Sequence, residues 1–322
     1  MNTDRSAGRP PLIVLTGPTA VGKTRLSLAL AGAVGGEIIS ADSMQVYRHM
    51  DIGTAKIRQE EMQGIPHHMI DILDPREAFN VALFQEGCLK CMEGIYGRGH
   101  IPVVTGGTGF YIQALLKRVD FTEEQEDRRY RESLERLAAE KGPEALHALL
   151  QEADPAAAAE IHANNIKRTV RALEFHHLTG RPISEHNRRE REKDSAYNSC
   201  YFVLNDRRER LYAGIDRRVD QMMEDGLAEE VERLRDMGCR RGMVSMQGLG
   251  YKEIYAWLEG EATREEAVET LKRDTRHFAK RQLTWFRREK DVIWINKDEF
   301  DYSEERMLQF MLAELAKKHI PV

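Results

Sequence analysis

The run Gly17-Pro18-Thr19-Ala20-Val21-Gly22-Lys23-Thr24 has the spacing G-x-x-x-x-G-K-[ST] at every fixed position. Such a stretch can bind a di- or triphosphate. Its glycines let backbone N–H groups turn toward phosphate oxygens, its lysine meets terminal phosphates, and its threonine hydroxyl suits Mg²⁺. The chemistry needs a strand before the loop and a helix after it, whose N-terminus adds partial positive charge. Leu12-Ile13-Val14-Leu15-Thr16 supplies a strand, and Lys23 to Val34 a helical pattern. The loop alone does not choose between a diphosphate and a triphosphate.

Two more strand-like runs end in polar or glycine-rich sequence. Glu37-Ile38-Ile39-Ser40-Ala41 stops at Asp42, and Ile101-Pro102-Val103-Val104-Thr105 stops at Gly106-Gly107-Thr108-Gly109. Ligands of open α/β sheets bind at the carboxyl ends of strands. Asp42 could there act as a general base, hold a metal through water, or cap a helix. The three glycines suit either backbone approaching a ligand or a plain tight turn. A helical pattern over Val81 to Arg98 completes strand–helix–strand spacing, which predicts parallel strands joined by crossover helices. Cys200-Tyr201-Phe202-Val203-Leu204 and Asp291-Val292-Ile293-Trp294-Ile295 supply two further strands.

Strand-like runs vanish from Phe121 to Ser195, where Arg128 to Glu140 and Asn165 to Leu178 read as charged helices. The expected organisation is a core over 1–120, a helical insertion over 121–195, and a second core part over 196–322. That last part is mostly helical, over Arg210 to Met237 and Thr263 to Lys290. His67-His68 and His176-His177 are adjacent pairs whose side chains diverge, and Cys88-Leu89-Lys90-Cys91 has no second metal-binding pair near it. The cysteines therefore read as small buried thiols within a helix.

With 322 residues, 41% apolar and 31% charged, the chain has the composition of a globular protein of about two domains. No apolar run reaches the roughly 18 residues of a membrane span, and four cysteines do not make a disulfide framework. A cytoplasmic location is expected. Lys and Arg number 48 against 53 Asp and Glu, a net charge of −5 that by itself argues against a nucleic-acid partner. The distribution argues otherwise. Lys272 to Lys290 holds eight Lys or Arg against two acids, a local +6. At about 100° per residue, Arg273, Arg276, Lys280 and Arg287 share one helix side, opposite Leu271, Phe278 and Trp285. That is a basic stripe packed by an aromatic face, suited to an anionic partner or, more blandly, to solvent. Lys167, Arg168, Arg171, Arg181, Arg188, Arg189 and Arg191 make a second basic stretch.

Taken together these runs resemble the bacterial tRNA dimethylallyltransferases (tRNA isopentenyltransferases). The resemblance is carried by Gly17 to Thr24, Asp42-Ser43-Met44-Gln45-Val46-Tyr47 and Asp51-Ile52-Gly53-Thr54-Ala55-Lys56. It continues through Ile65-Pro66-His67-His68, Asp71, Gly106 to Gly109 with Tyr111, Asn165 to Glu174, and Gln247 with Gly248 to Glu253. Ala279-Lys280-Arg281-Gln282 and Trp285-Phe286-Arg287 complete it, so that it spans about Leu12 to Trp294. Val21 stands where the family commonly has Ser, Ile57 where Pro is common, and Gly248-Leu249 where Ala-Ile is frequent.

The resemblance implies a P-loop NTPase-like α/β core, its parallel sheet interrupted by a helical insertion that swings onto tRNA. It implies transfer of a dimethylallyl group from dimethylallyl diphosphate to the exocyclic amine of the adenosine 3′ of the anticodon, in tRNAs reading U-starting codons. Asp42 corresponds to the general base, Arg218 (with Arg217 as the alternative) to an arginine on the leaving pyrophosphate, and Thr24 to the Mg²⁺ ligand. Gly17 to Thr24 would bind the diphosphate. Asp42, Ser43, Met44, Gln45, Thr108, Arg131, Lys167, Arg168, Arg171, Gln247, Arg276, Lys280 and Arg281 would contact the tRNA anticodon stem-loop. The implied protein acts as a monomer, away from membranes. The rival readings are a small-molecule kinase using the same loop on ATP and a non-catalytic nucleotide-binding regulator.

Overall fold

The structure, a computed structural model, describes residues 8–121 and 127–322. Six parallel strands form one sheet: β1 (Pro11–Thr16), β2 (Gly36–Ala41), β3 (His67–His68), β4 (Ile101–Gly106), β5 (Asn198–Asn205) and β6 (Val292–Asn296), in the order β3-β2-β4-β1-β5-β6. Five of these match the expected runs to within two residues. The two-residue β3 was not foreseen: it pairs Ile38 with His67 and Ile39 with His68, and so short a run carries no periodicity of its own.

Among the described residues there are thirteen α-helices, in chain order: α1 (Lys23–Ala33), α2 (Val81–Gly97), α3 (Gly109–Lys117), α4 (Arg128–Lys141), α5 (Pro143–Ala153), α6 (Pro155–Glu160), α7 (Ile166–Thr179), α8 (Ile183–Glu192), α9 (Arg208–Glu224), α10 (Leu227–Asp236), α11 (Tyr251–Leu258), α12 (Arg264–Phe286) and α13 (Glu304–Lys317). The helical stretch expected over 210–237 is made of two helices. It breaks at Gly226, whose φ of 97° is left-handed and unfavourable for other residues. Among the described residues no helix is long and apolar enough to cross a membrane.

The sheet is buried on both faces, as parallel sheets are. Alternate residues of one strand enter different cores. Leu12 and Val14 pack with Phe84, Met92 and Ile95 of α2, whereas Ile13 and Leu15 pack with Leu26 and Leu30 of α1 and Met307 and Met311 of α13. Burial at period two on both faces fixes the strand register, because a one-residue slip would exchange every partner.

The chain divides into two compact units, one up to Leu116 together with Ala196–Val322, the other Lys117–Ser195. The second unit has its own core, in which Leu134, Leu146, Leu150, Val170 and Leu173 are buried. Two acids and an amide start its helices: Asp127, Asp154 and Asn165 accept from the N–H of Tyr130, Ala157 and Arg168, satisfying donors a helix end would otherwise leave unpaired.

Candidate active site

The loop after β1 closes around Lys23, whose Nζ donates to Gly17 O at 3.0 Å and Pro18 O at 2.8 Å. Gly17 runs against β5 so closely that a Cβ there would lie 2.3 Å from Leu204 O. Gly22 is the left-handed residue (φ 97°) from which α1 starts. Burial, then the charge of Arg218, lowers the Lys23 ammonium to about 7, while Asp42 opposes the shift. Thr24 stands exposed at the start of α1.

Asp42 follows the last residue of β2 and no helix begins after it, so it is not a helix cap. Its Oδ1 accepts from Met44 N at 2.9 Å, an Asx-type turn that fixes the carboxyl at the sheet edge. Burial raises its pKa, against the Met44 and Gln45 N–H groups and the charges of Lys23 and Arg218. Arg218 reaches the loop from α9, with Nη1 3.4 Å from Thr19 Oγ1. Burial lowers its pKa and Asp42 raises it. Arg217 is exposed, so of the two arginines Arg218 is the one directed at the loop. A carboxyl of raised basicity thus shares one site with two cations.

Thr108 N donates to Ala41 O at 3.3 Å, which ties the turn after β4 to the residue before Asp42. The glycines of that turn also let protein atoms approach closely. A Cβ at Gly106 would fall 2.3 Å from Ala41 O, at Gly107 2.1 Å from Gln282 Nε2, and at Gly109 2.2 Å from the Trp285 ring. They are small so that β2 and α12 can pack against them.

Gln282 was missed as a site residue. It is buried on α12, accepts from Thr19 N at 2.9 Å and donates to Gly107 O at 2.9 Å. The Thr19 N–H is therefore committed to Gln282, and a phosphate is left the other N–H groups of the loop. The available signal was its register: the buried line of α12 is Ala267, Leu271, Thr275, Ala279, Gln282 and Phe286, and a polar residue on such a line must find partners.

That register also corrects the basic stripe. Phe278 and Trp285 are only half-buried. Arg276 pairs with Asp216 at 2.5 Å and Lys272 with Asp220 at 2.6 Å, so α9 supplies the acids that α12 lacks. Arg273, Lys280, Arg281 and Arg287 remain exposed. Gln45 is turned inward as well: its Oε1 accepts from Ser40 Oγ at 2.9 Å and its Nε2 donates to Thr54 O at 3.2 Å. Ser43 and Met44 beside it are half-buried. Met44 lies over Gly248, where a Cβ would come 2.6 Å from its Cε. The exposed Gln247 donates its side-chain N–H to Arg241 O.

Within the second unit, Lys167 and Arg168 are exposed on the first turn of α7. Arg131 and Arg171 instead lie half-buried against the fully buried Glu174, at 2.5 and 3.8 Å, rather than projecting as a free basic surface.

No group of three or more His, Cys, Asp or Glu among the described residues is placed to hold a metal. Cys88 is buried in α2, where burial pushes its thiol pKa up. His68 pairs with Glu37.

Comparison with known proteins points to one family. The family model described as IPP transferase matches residues 45–289, and that for isopentenyl transferase residues 10–74. A tRNA dimethylallyltransferase of Lachnoclostridium phytofermentans is 57% identical over 96% of this chain and 99% of its own. One from Bacillus licheniformis is 53% identical over 89% and 91%. The crystal structure of the tRNA isopentenylpyrophosphate transferase of Bacillus halodurans covers 97% of this chain and 98% of its own, at 46% identity and a TM-score of 0.73. A eukaryotic dimethylallyltransferase acting on tRNA, 32% identical, superposes with a TM-score of 0.76 over 89% of this chain and 74% of its own. The expected parallel α/β fold is met, and the chain belongs to the IPP transferase family, among the tRNA dimethylallyltransferases.

Proposed function

We propose that the protein transfers a dimethylallyl group from dimethylallyl diphosphate to the N6 amine of the adenosine 3′-adjacent to the anticodon in tRNAs reading U-starting codons, releasing pyrophosphate. One observation carries this reading: a base and two cations, Asp42, Lys23 and Arg218, converge at the carboxyl edge of the sheet. Family membership supports tRNA and dimethylallyl diphosphate as the substrates.

The roles follow from charge. The adenine amine is a poor nucleophile because its lone pair is delocalised into the ring. As the N6–C1 bond forms, Asp42 takes the amine proton, help worth about 10²–10⁴ in rate. As the C1–O bond breaks, its electron pair leaves with pyrophosphate. Lys23, Arg218 and the loop N–H groups other than that of Thr19 hold the charge that develops there, each such donor being worth about 10²–10³. Burial serves both halves, because it raises the basicity of Asp42 and strengthens the fields of the cations. The adenosine must leave its stack to reach a base so enclosed.

Mg²⁺ keeps several waters and takes one or two protein oxygens with substrate phosphates. The exposed hydroxyl of Thr24 beside the loop fits such sparse coordination. Thr24 would hold the ion, which when bound would neutralise diphosphate charge. Lys167, Arg168, Lys280 and Arg281, all exposed, are the cations we assign to the tRNA backbone, with Thr108 at the Asp42 edge. Ser43, Met44 and the Gln45 backbone would hold the flipped base. The reading carries with it a cytoplasmic location and action as a monomer.

The test mixes protein, Mg²⁺, labelled dimethylallyl diphosphate and unmodified tRNA. Label entering tRNA at the adenosine 3′ of the anticodon is expected. ATP-dependent phosphorylation of a small acceptor with no label in tRNA would favour the kinase, and nucleotide binding without turnover the regulator.

A further inference from the structure

We propose that Gln282 is the positioning residue that holds the two halves of the active site in register. This inference rests on the prenyl-transfer reading above, in which the loop after β1 serves the leaving group and the turns after β2 and β4 serve the base. The halves belong to different strands, and the reacting atoms must meet within a fraction of an ångström.

The Gln282 side chain bridges these halves. Its carbonyl takes the Thr19 N–H of the diphosphate loop, and its amide N–H₂ gives to Gly107 O of the opposite turn, each at 2.9 Å. Each end continues toward a reacting group. The Thr19 hydroxyl oxygen accepts from Arg218. Thr108, next to Gly107, binds Ala41 O, the carbonyl before Asp42. The chain Arg218–Thr19–Gln282–Gly107–Thr108–Ala41–Asp42 thus links cation to base through a single side chain.

Four features suit Gln282 to this role. The residue is 6% exposed, so water does not compete for its bonds. A Cβ on Gly107 would stand 2.1 Å from its Nε2, so the turn is shaped to receive it. A primary amide accepts at one end and donates at the other whatever the pH: an ionised Glu would lose the donor, and Met both. Gln282 also lies one residue after the exposed Lys280-Arg281 pair, on the helix expected to meet the RNA. Gln282 touches no reacting atom, so it acts by placement alone.

Gln282→Met and Gln282→Glu are assayed for transfer with wild type beside them, and hydrogen exchange is followed with and without inorganic pyrophosphate. Both variants are expected to lose kcat about 10–100-fold while KM for tRNA stays within about twofold of wild type. In wild type, pyrophosphate should slow exchange over 106–109 as well as 17–24; in Gln282→Met it should slow only 17–24. A kcat within about threefold of wild type in either variant, or 106–109 still protected in Gln282→Met, overturns the proposal. Should Gln282→Met fail to fold, Gln282→Glu decides through kcat. A wild type that shows the coupled protection yet transfers no label would refute the proposed reaction and leave the link through Gln282 standing.

Discussion

Glu37 and Asp42 stand at the two ends of one strand, five residues apart, and their carboxyl groups are driven in opposite directions. Glu37, 1% exposed, meets Arg98 Nε and Nη2 at 2.8 Å and His100 and His68 at 2.7 Å. Arg98, more than either histidine, holds its pKa down to about 2. Asp42 receives backbone N–H groups and two cations at longer range, and burial prevails, raising its pKa. The amino edge of the sheet thus commits a carboxylate to the fold, and the carboxyl edge keeps one available for a proton. A buried carboxylate with full partners is a structural joint, whereas one with incomplete partners is a base in waiting.

Variants can break this contrast. The largest effect expected short of catalysis is at the amino edge: Glu37→Gln should cost about 3 kcal/mol of stability by denaturant unfolding at neutral pH, from a shift of roughly 2.5 pH units, with kcat unchanged. The sign follows from a folded pKa below the unfolded 4.5. The contribution is complete above about 4.5 and is lost as pH falls toward 2. A loss of kcat at full stability would mean the two edges communicate.

A smaller effect concerns Lys23. With its ammonium lowered to about 7, free enzyme loses that charge as pH rises past neutrality. The ratio kcat/KM for dimethylallyl diphosphate should therefore decline above pH ~7, while kcat changes less because bound diphosphate restores the proton. A level kcat/KM to pH ~9 would show that Lys23 stays charged.

The smallest effect separates paired from unpaired cations on α12. Lys280→Ala should lower the slope of log binding constant against log salt by about 0.7–0.9. Arg276→Ala, whose partner is Asp216, should leave it nearly unchanged. Equal slopes would return Arg276 to the RNA surface.

Much of the site was legible before the fold was known, because its parts are local. Gly17 to Thr24 carries its strand and helix with it, and Asp42 ends an apolar run. What escaped notice is tertiary. Arg276 looks unopposed along its own helix, because Asp216 and Asp220 lie about sixty residues earlier. Gly106 to Gly109 signalled close approach without naming β2, Gln282 and Trp285 as what approaches. The reading of α12 by its aromatics placed the packed face about Phe278 and Trp285. The buried line runs instead through Ala267, Leu271, Thr275, Ala279, Gln282 and Phe286.

The contrast along β2 is tested most directly by single-turnover transfer of labelled dimethylallyl to tRNA, comparing wild type, Asp42→Asn and Glu37→Gln at a temperature where all three are folded. Asp42→Asn is expected to slow the chemical step by about 10² or more with no loss of melting temperature, since a buried acid of raised pKa contributes no stability by ionising, and Glu37→Gln to transfer at the wild-type rate. Transfer by Asp42→Asn at the wild-type rate would contradict that contrast.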